Sequence, residues 1–140
     1  MTINKPIVFD QKVNVRFEDM DPNGHISTSK YIDLVFQSRW IYLEENFAWN
    51  LEASTAQGIA FLVRRLEIDY VSPAVNCSAV RIKSFVSERK KTSFLVEFEI
   101  ANRDLTSTFA KGLVKVAVID IATAKPTKMP LEIDQMLFEN

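Results

Sequence analysis

FEDMDPNGHISTSKYIDLVFQSRW, residues 17–40, joins a cluster of turn formers to an unbroken helical pattern. Within DMDPNG, Pro22 fixes its own φ and Gly24 permits a left-handed turn, so the chain changes direction between Asp19 and Gly24. From Thr28 to about Asn46 there is neither Pro nor Gly, and Lys30, Asp33, Gln37 and Glu44 recur at helical spacing as one narrow polar stripe. The remaining surface carries Tyr31, Leu34, Val35, Phe36, Trp40 and Leu43 among others, too apolar for a helix that buries a single face. The expectation is a helix largely enclosed by the rest of the fold or by a partner chain.

Outward from this stretch the periodicity changes. Val13, Val15 and Phe17 alternate with Asn14, Arg16 and Glu18, which predicts a strand running into the turn. A shorter helix is expected over Leu51 to Gln57, closed by Gly58. Beyond it, Leu66, Ile68 and Tyr70 alternate with polar neighbours up to the breaker Pro73. Val80 to Val86, Phe94 to Ile100 and Ala110 to Ile121 mark three more strands. The connections Glu88–Thr92 and Asn102–Leu105 are short and charged, which implies antiparallel hairpins. Pro126 and Pro130 end the sheet, and a short helix is expected from Leu131. One strand, a long apolar helix and four strands describe an α+β domain whose antiparallel sheet covers the helix. Without a repeat or linker, the 140 residues read as one domain.

Lys+Arg 17 against Asp+Glu 18 gives a formal charge of -1, which points away from nucleic acid and from an anionic membrane as main partner. No window approaches a membrane span, and MTINKPIVFDQKVNV lacks an apolar stretch behind a basic cap, so a cytoplasmic location is expected. Cys77 is the one cysteine and reads as a small buried hydrophobe. Clustered Cys/His spacing, a glycine-rich phosphate loop and a Gly-x-Ser-x-Gly elbow are all missing from the sequence. No metal and no cofactor are therefore expected.

The turn places Asp19, Asp21, Asn23 and His25 just before a helix whose first free amides belong to about Thr28, Ser29 and Lys30. Such amides suit a carbonyl oxygen that gains charge in a tetrahedral transition state. A carboxylate beside them can serve as general base or nucleophile. The same residues are also common turn formers, and Asp21 can simply bond nearby amides. On the residues alone both readings stay open.

The stretch 17–40 resembles the turn and helix of hotdog-fold acyl-CoA thioesterases similar to 4-hydroxybenzoyl-CoA thioesterase. The resemblance continues through GIAFLVRRLEIDYVSPA, SERKKTSF and VIDIATAKP. It implies a hotdog fold, an antiparallel sheet wrapped around a long central helix. It also implies hydrolysis of an acyl-CoA thioester, with coenzyme A present only as part of the substrate, by a homodimer or homotetramer. Asp21 matches the family's catalytic carboxylate and Thr28 the amide that polarises the carbonyl. The turn is similar as well to the D-x-N-x-H of fatty acyl-carrier-protein thioesterases, whose polar residues match Asp21, Asn23 and His25, so an acyl-carrier protein is a second possible donor. Arg89, Lys90 and Lys91 match a segment that holds the phosphates of coenzyme A; taken alone they are an ordinary charged hairpin turn. Tyr31, Phe36 and Phe61 are the residues expected at the acyl pocket, with Trp40 as another side chain able to close it.

The sequence departs from the family pattern in two places. His25-Ile26-Ser27-Thr28 stands where many relatives have H-V-N-N, and Phe36 stands where many carry a helix Glu three residues before the Arg. Asp33 or Gln37, acting across a dimer, are candidates for that vacant role, though both read as members of the polar stripe, and Arg39 reads as a structural ion-pair partner. A non-catalytic acyl-CoA sensor or scaffold remains an alternative on these grounds. A hotdog hydratase or dehydratase is a further one, against which the order D-P-N-G-H counts, with Asp and His four apart instead of five.

Overall fold

A computed structural model describes residues 5–75 and 78–139. Strands β1 (Phe9–Asn14), β2 (Ile59–Tyr70), β3 (Ala79–Arg89), β4 (Ser93–Ala101) and β5 (Thr108–Asp120) form one antiparallel sheet in the order β1-β3-β4-β5-β2. Helix α1 (Lys30–Phe47) lies against this sheet, with α2 (Leu51–Ala56) and α3 (Leu131–Leu137) beside it. Leu34 and Val35 of α1 are buried with Phe9, Val80, Ile82 and Val114 of the sheet in one core.

Local chemistry sets the ends of α1. Ala48 takes a left-handed conformation (φ 53) and donates its N–H to Glu44, while Trp49 donates to Leu43, which closes the last turn. Asn50 then opens α2 by accepting the N–H of Ala53 at 2.9 Å. Between β5 and β2 a glycine is required: a Cβ on Gly112 would stand 2.0 Å from the carbonyl oxygen of Glu67.

Three boundaries differ from the sequence reading. The first strand ends at Asn14, because the carboxylate of Asp19 accepts the N–H of Arg16 at 2.8 Å and curls Phe17–Asp19 into a 3-10 turn. Phe17, expected on the buried side of that strand, is 93% exposed. The strand expected from about Leu66 begins at Ile59, which makes β2 twelve residues long. Helix α1 starts at Lys30 instead of Thr28, since Ser27 and Thr28 belong to the turn. Cys77 lies outside the described residues.

The helix is enclosed less than its composition demands. Its buried residues are Tyr31, Leu34, Val35 and Ser38, whereas Trp40 and Phe47 stay more than a third exposed. The same holds for β2, where Phe61, Leu62, Val63, Leu66 and Tyr70 are all exposed. That strand pairs with β5 on one side, and its other edge has no partner strand among the described residues. A long apolar strand with a bare edge invites pairing with another chain.

Candidate active site

The turn before α1 is organised around Asp21. Its Oδ1 accepts the backbone N–H of Asn23 at 2.9 Å and of His25 at 3.0 Å. Its own N–H donates to the carbonyl of His25 at 2.7 Å, and Gly24 (φ 77) donates to the carbonyl of Asp21. The carboxylate thus stabilises the loop that carries it, as an ordinary turn Asp does. Its second oxygen, Oδ2, accepts nothing from the described residues. The loop is moored from outside by Ser27 N–H on Asp19 O at 2.8 Å and by Ile26 N–H on Ala74 O at 3.1 Å.

The four residues expected to be catalytic share this one turn. Asn23 and His25 bind Asp21 through their backbones, and their side chains make no hydrogen bond within the described residues. The amides of Thr28 and Ser29 have no acceptor there either, whereas that of Lys30, also expected to be free, donates to Ser27 O at 2.9 Å. Tyr70 adds a contact that the sequence did not single out: its hydroxyl donates to the Thr28 carbonyl at 2.9 Å and orients the Thr28–Ser29 peptide at the helix start. Tyr31, expected at the acyl pocket, is buried and packs edge-to-face against Tyr70 with ring centroids 5.1 Å apart.

A cavity of about 500 Å³ lies between α1, α2, α3 and the inner face of β2, β5 and β4. Of the residues expected at an acyl pocket, Phe36, Phe61 and Trp40 line this cavity and Tyr31 does not. Asp33 and Gln37 are exposed and line no part of it within their own chain, and Asp33 pairs weakly with Lys30 at 4.0 Å. Arg39, read as an ion-pair partner, has no acid within reach among the described residues. Instead its guanidinium donates to Ser84 Oγ at 2.8 Å and rests 4.3 Å from the centre of the Phe9 ring. Desolvation lowers its pKa to about 10, which leaves it charged at neutral pH.

The basic turn forms a second hollow of about 650 Å³, lined by Arg89, Lys90, Lys91, Lys128 and Asp134 among others. Its charges are not equivalent. Arg89 is paired with Asp134 and lies over Phe138, and Lys90 is 3.6 Å from Glu88. Lys91 and Lys128 have no ion-pair partner among the described residues, so they are the free cations of the group. Lys128 was not picked out from the sequence, where a lone lysine between two prolines carries no signal.

Within one chain these parts are far apart. The turn sits where β1 ends and β3 begins, as Val15 N–H on Ser78 O shows. Arg89 closes the other end of β3, and eleven residues of strand separate the two ends by about 33 Å. The strand pairings put Ile59, Asp120 and Ser93 at the Arg89 end, and Tyr70, Ala110 and Ala101 at the end of the turn.

Comparison with known proteins fits this architecture. A family model described as the thioesterase-like superfamily matches residues 15–137. The chain is 30% identical over 125 residues to an acyl-CoA thioesterase of Haemophilus influenzae, covering 89% of this chain and 90% of that protein. It is 27% identical to a long-chain acyl-CoA thioesterase of Escherichia coli K12, over 90% of this chain and 94% of the other. Among solved structures, a 1,4-dihydroxy-2-naphthoyl-CoA thioesterase from Synechocystis superposes with a TM-score of 0.80 at 16% identity, covering 91% and 93% of the two chains. A probable thioesterase from Escherichia coli gives 0.75 at 24%, covering 91% and 94%. The expected hotdog fold is therefore the fold of this chain.

Proposed function

This chain belongs to the thioesterase-like superfamily, and on that premise we propose that it hydrolyses acyl-CoA thioesters in sites shared between two copies of itself. The observation that carries the reading is the separation of the parts. The Asp21 turn lies at one end of the sheet, and the apolar cavity with the free Lys91 and Lys128 lies at the other. A two-fold dimer that pairs the bare edge of β2 with its own copy runs the two β2 strands antiparallel. The Tyr70 end of one copy then meets the Ile59 end of the other. Each Asp21 turn is carried to the cavity and basic hollow of the partner, and the exposed Phe61, Val63 and Leu66 are covered.

In such a site the acyl chain occupies the apolar cavity, and Lys91 and Lys128 hold the phosphates of coenzyme A with help from Lys90 and Arg89. The free Thr28 amide, at the positive end of the α1 dipole, faces the carbonyl oxygen as it becomes an oxyanion. Asp21 Oδ2 either takes a proton from water or attacks the carbonyl carbon itself. In both cases the C–S bond breaks, the thiolate leaves with a proton, and water supplies the oxygen and hydrogen of the free acid. Asn23 and His25 position the water or substrate. The vacant helix Glu leaves Asp21 as the carboxylate available for this work.

The reading is tested by following free thiol release from a panel of acyl-CoAs of different chain length and from one acyl-carrier protein. Thiol release from at least one acyl-CoA is expected. Tight binding without release would make the protein a sensor of acyl-CoA, and release only from the carrier protein would move the donor class.

A further inference from the structure

Arg39 is the one charged side chain among the described residues lining the cavity; the rest of that wall is apolar apart from Ser54 and Thr55. Its Nη1 is spent on Ser84, and its Nε and Nη2 donate to nothing among the described residues. No buried side-chain nitrogen or oxygen there lacks a partner. The remaining nitrogens are therefore not sealed in the protein, and Arg39 is among the residues that border the cavity. The head is held in place: Ser84 fixes it from β3, and the Phe9 ring beneath it is stacked on Tyr42 with centroids 4.2 Å apart.

Position adds to chemistry. The cavity opens beside Phe61 and Val63 on the edge strand β2 and extends across β5 and β4 towards β3, whose Ser84 holds Arg39. Three strand spacings, about 14 Å, separate the open edge from the guanidinium. A methyl-terminated chain filling this space would press CH₂ groups against a charged group and strip its water without replacing the lost hydrogen bonds. A carboxylate would meet two free N–H donors in the fork geometry that suits it. Resting on the reading of this cavity as the acyl site, we propose that Arg39 selects acyl groups bearing a carboxylate at the end remote from the thioester, as in the monothioesters of dicarboxylic acids. Arg39 is then a specificity-determining residue, and its charge at neutral pH persists although burial lowers its pKa.

The test compares kcat/KM for two acyl-CoAs of equal length, one ending in a carboxylate and one in a methyl group, on the full-length protein and on Arg39→Gln and Arg39→Lys. The wild-type protein is expected to favour the carboxylate. The ratio of the two kcat/KM values should fall at least about tenfold in Arg39→Gln and be partly kept in Arg39→Lys, as loss of a charge-assisted hydrogen bond predicts. A purely structural role would lower both substrates together and leave the ratio unmoved, which would overturn the proposal. So would a wild-type preference for the methyl-terminated substrate, a result that stands even if Arg39→Gln fails to fold. If neither substrate releases thiol, the hydrolase reading fails by itself; calorimetric binding of the same two compounds to the wild-type protein then decides, and equal affinities would sink the selection by Arg39.

Discussion

Replacing Asp21 by Asn is expected to lower kcat/KM for thiol release at least about a hundredfold, the usual scale for loss of a positioned general base. The melting temperature should hardly move. Asn presents an oxygen where Asp21 Oδ1 accepts the amides of Asn23 and His25, so the turn keeps both bonds while Oδ2 becomes an amide with no basicity. Asp21→Ala separates the two jobs of this side chain. It removes the same chemistry and also abandons two amides, and it should melt several degrees lower, since each lost hydrogen bond is worth roughly 1 kcal/mol and a degree shift of a few per kcal/mol is usual at this size. Thiol release and a thermal melt on both variants check this. Full activity in Asp21→Asn would remove the carboxylate from the reaction and leave it a turn residue.

The second large effect concerns a position that touches no substrate. Leu66 lies on β2, 41% exposed, and lines neither the cavity nor the basic hollow. In the proposed two-fold dimer, Leu66→Glu would place a like charge on each of two neighbouring strands, where desolvation and repulsion oppose pairing. We expect this variant to run as a monomer in sedimentation and to lose at least about a hundredfold in activity while keeping its far-ultraviolet circular dichroism. The loss follows from geometry: a lone chain holds its turn and its own basic hollow at opposite ends of β3, a strand of 11 residues and about 33 Å. A monomeric and fully active Leu66→Glu would mean that one chain contains a whole site.

Much of this was legible in the sequence because local rules agree with the fold. The strands around Val80–Val86 and Phe94–Ile100 alternate apolar and polar residues, Ala110–Ile121 is almost continuously apolar, and the turns between them are short and charged, so hairpins follow directly. The turn around Asp21 reads correctly because Pro22 and Gly24 leave the backbone few choices. Where the structure differs, a local side-chain contact outside the apolar alternation decides the outcome. Phe17 continues the alternation of Val13 and Val15, yet the Asp19 carboxylate captures Arg16 N–H and curls the chain before the strand can extend.

Arg39 shows the same limit on a side chain. A cation three and four residues from Val35, Phe36, Tyr42 and Leu43 implies a buried guanidinium, but sequence cannot say whether its partner is an acid or, as here, a serine and a ring from two other strands. The apolar excess of α1 is visible in the sequence and predicts a helix needing cover; that of β2 emerges with its full length from Ile59. Only the strand order places β2 at the edge of the sheet, where the proposed dimer would both cover its apolar residues and complete the site.

Mixing two defective proteins tests the shared site most directly. Asp21→Asn disables the turn, and the double variant Lys91→Glu, Lys128→Glu disables the phosphate hollow at the opposite end of the same chain. In a hybrid dimer one site receives both lesions and the other receives neither. After full subunit exchange of equal amounts, half the dimers are hybrids, and activity at low substrate should rise to roughly a quarter of wild type. A mixture no more active than the average of its two components would contradict the shared site.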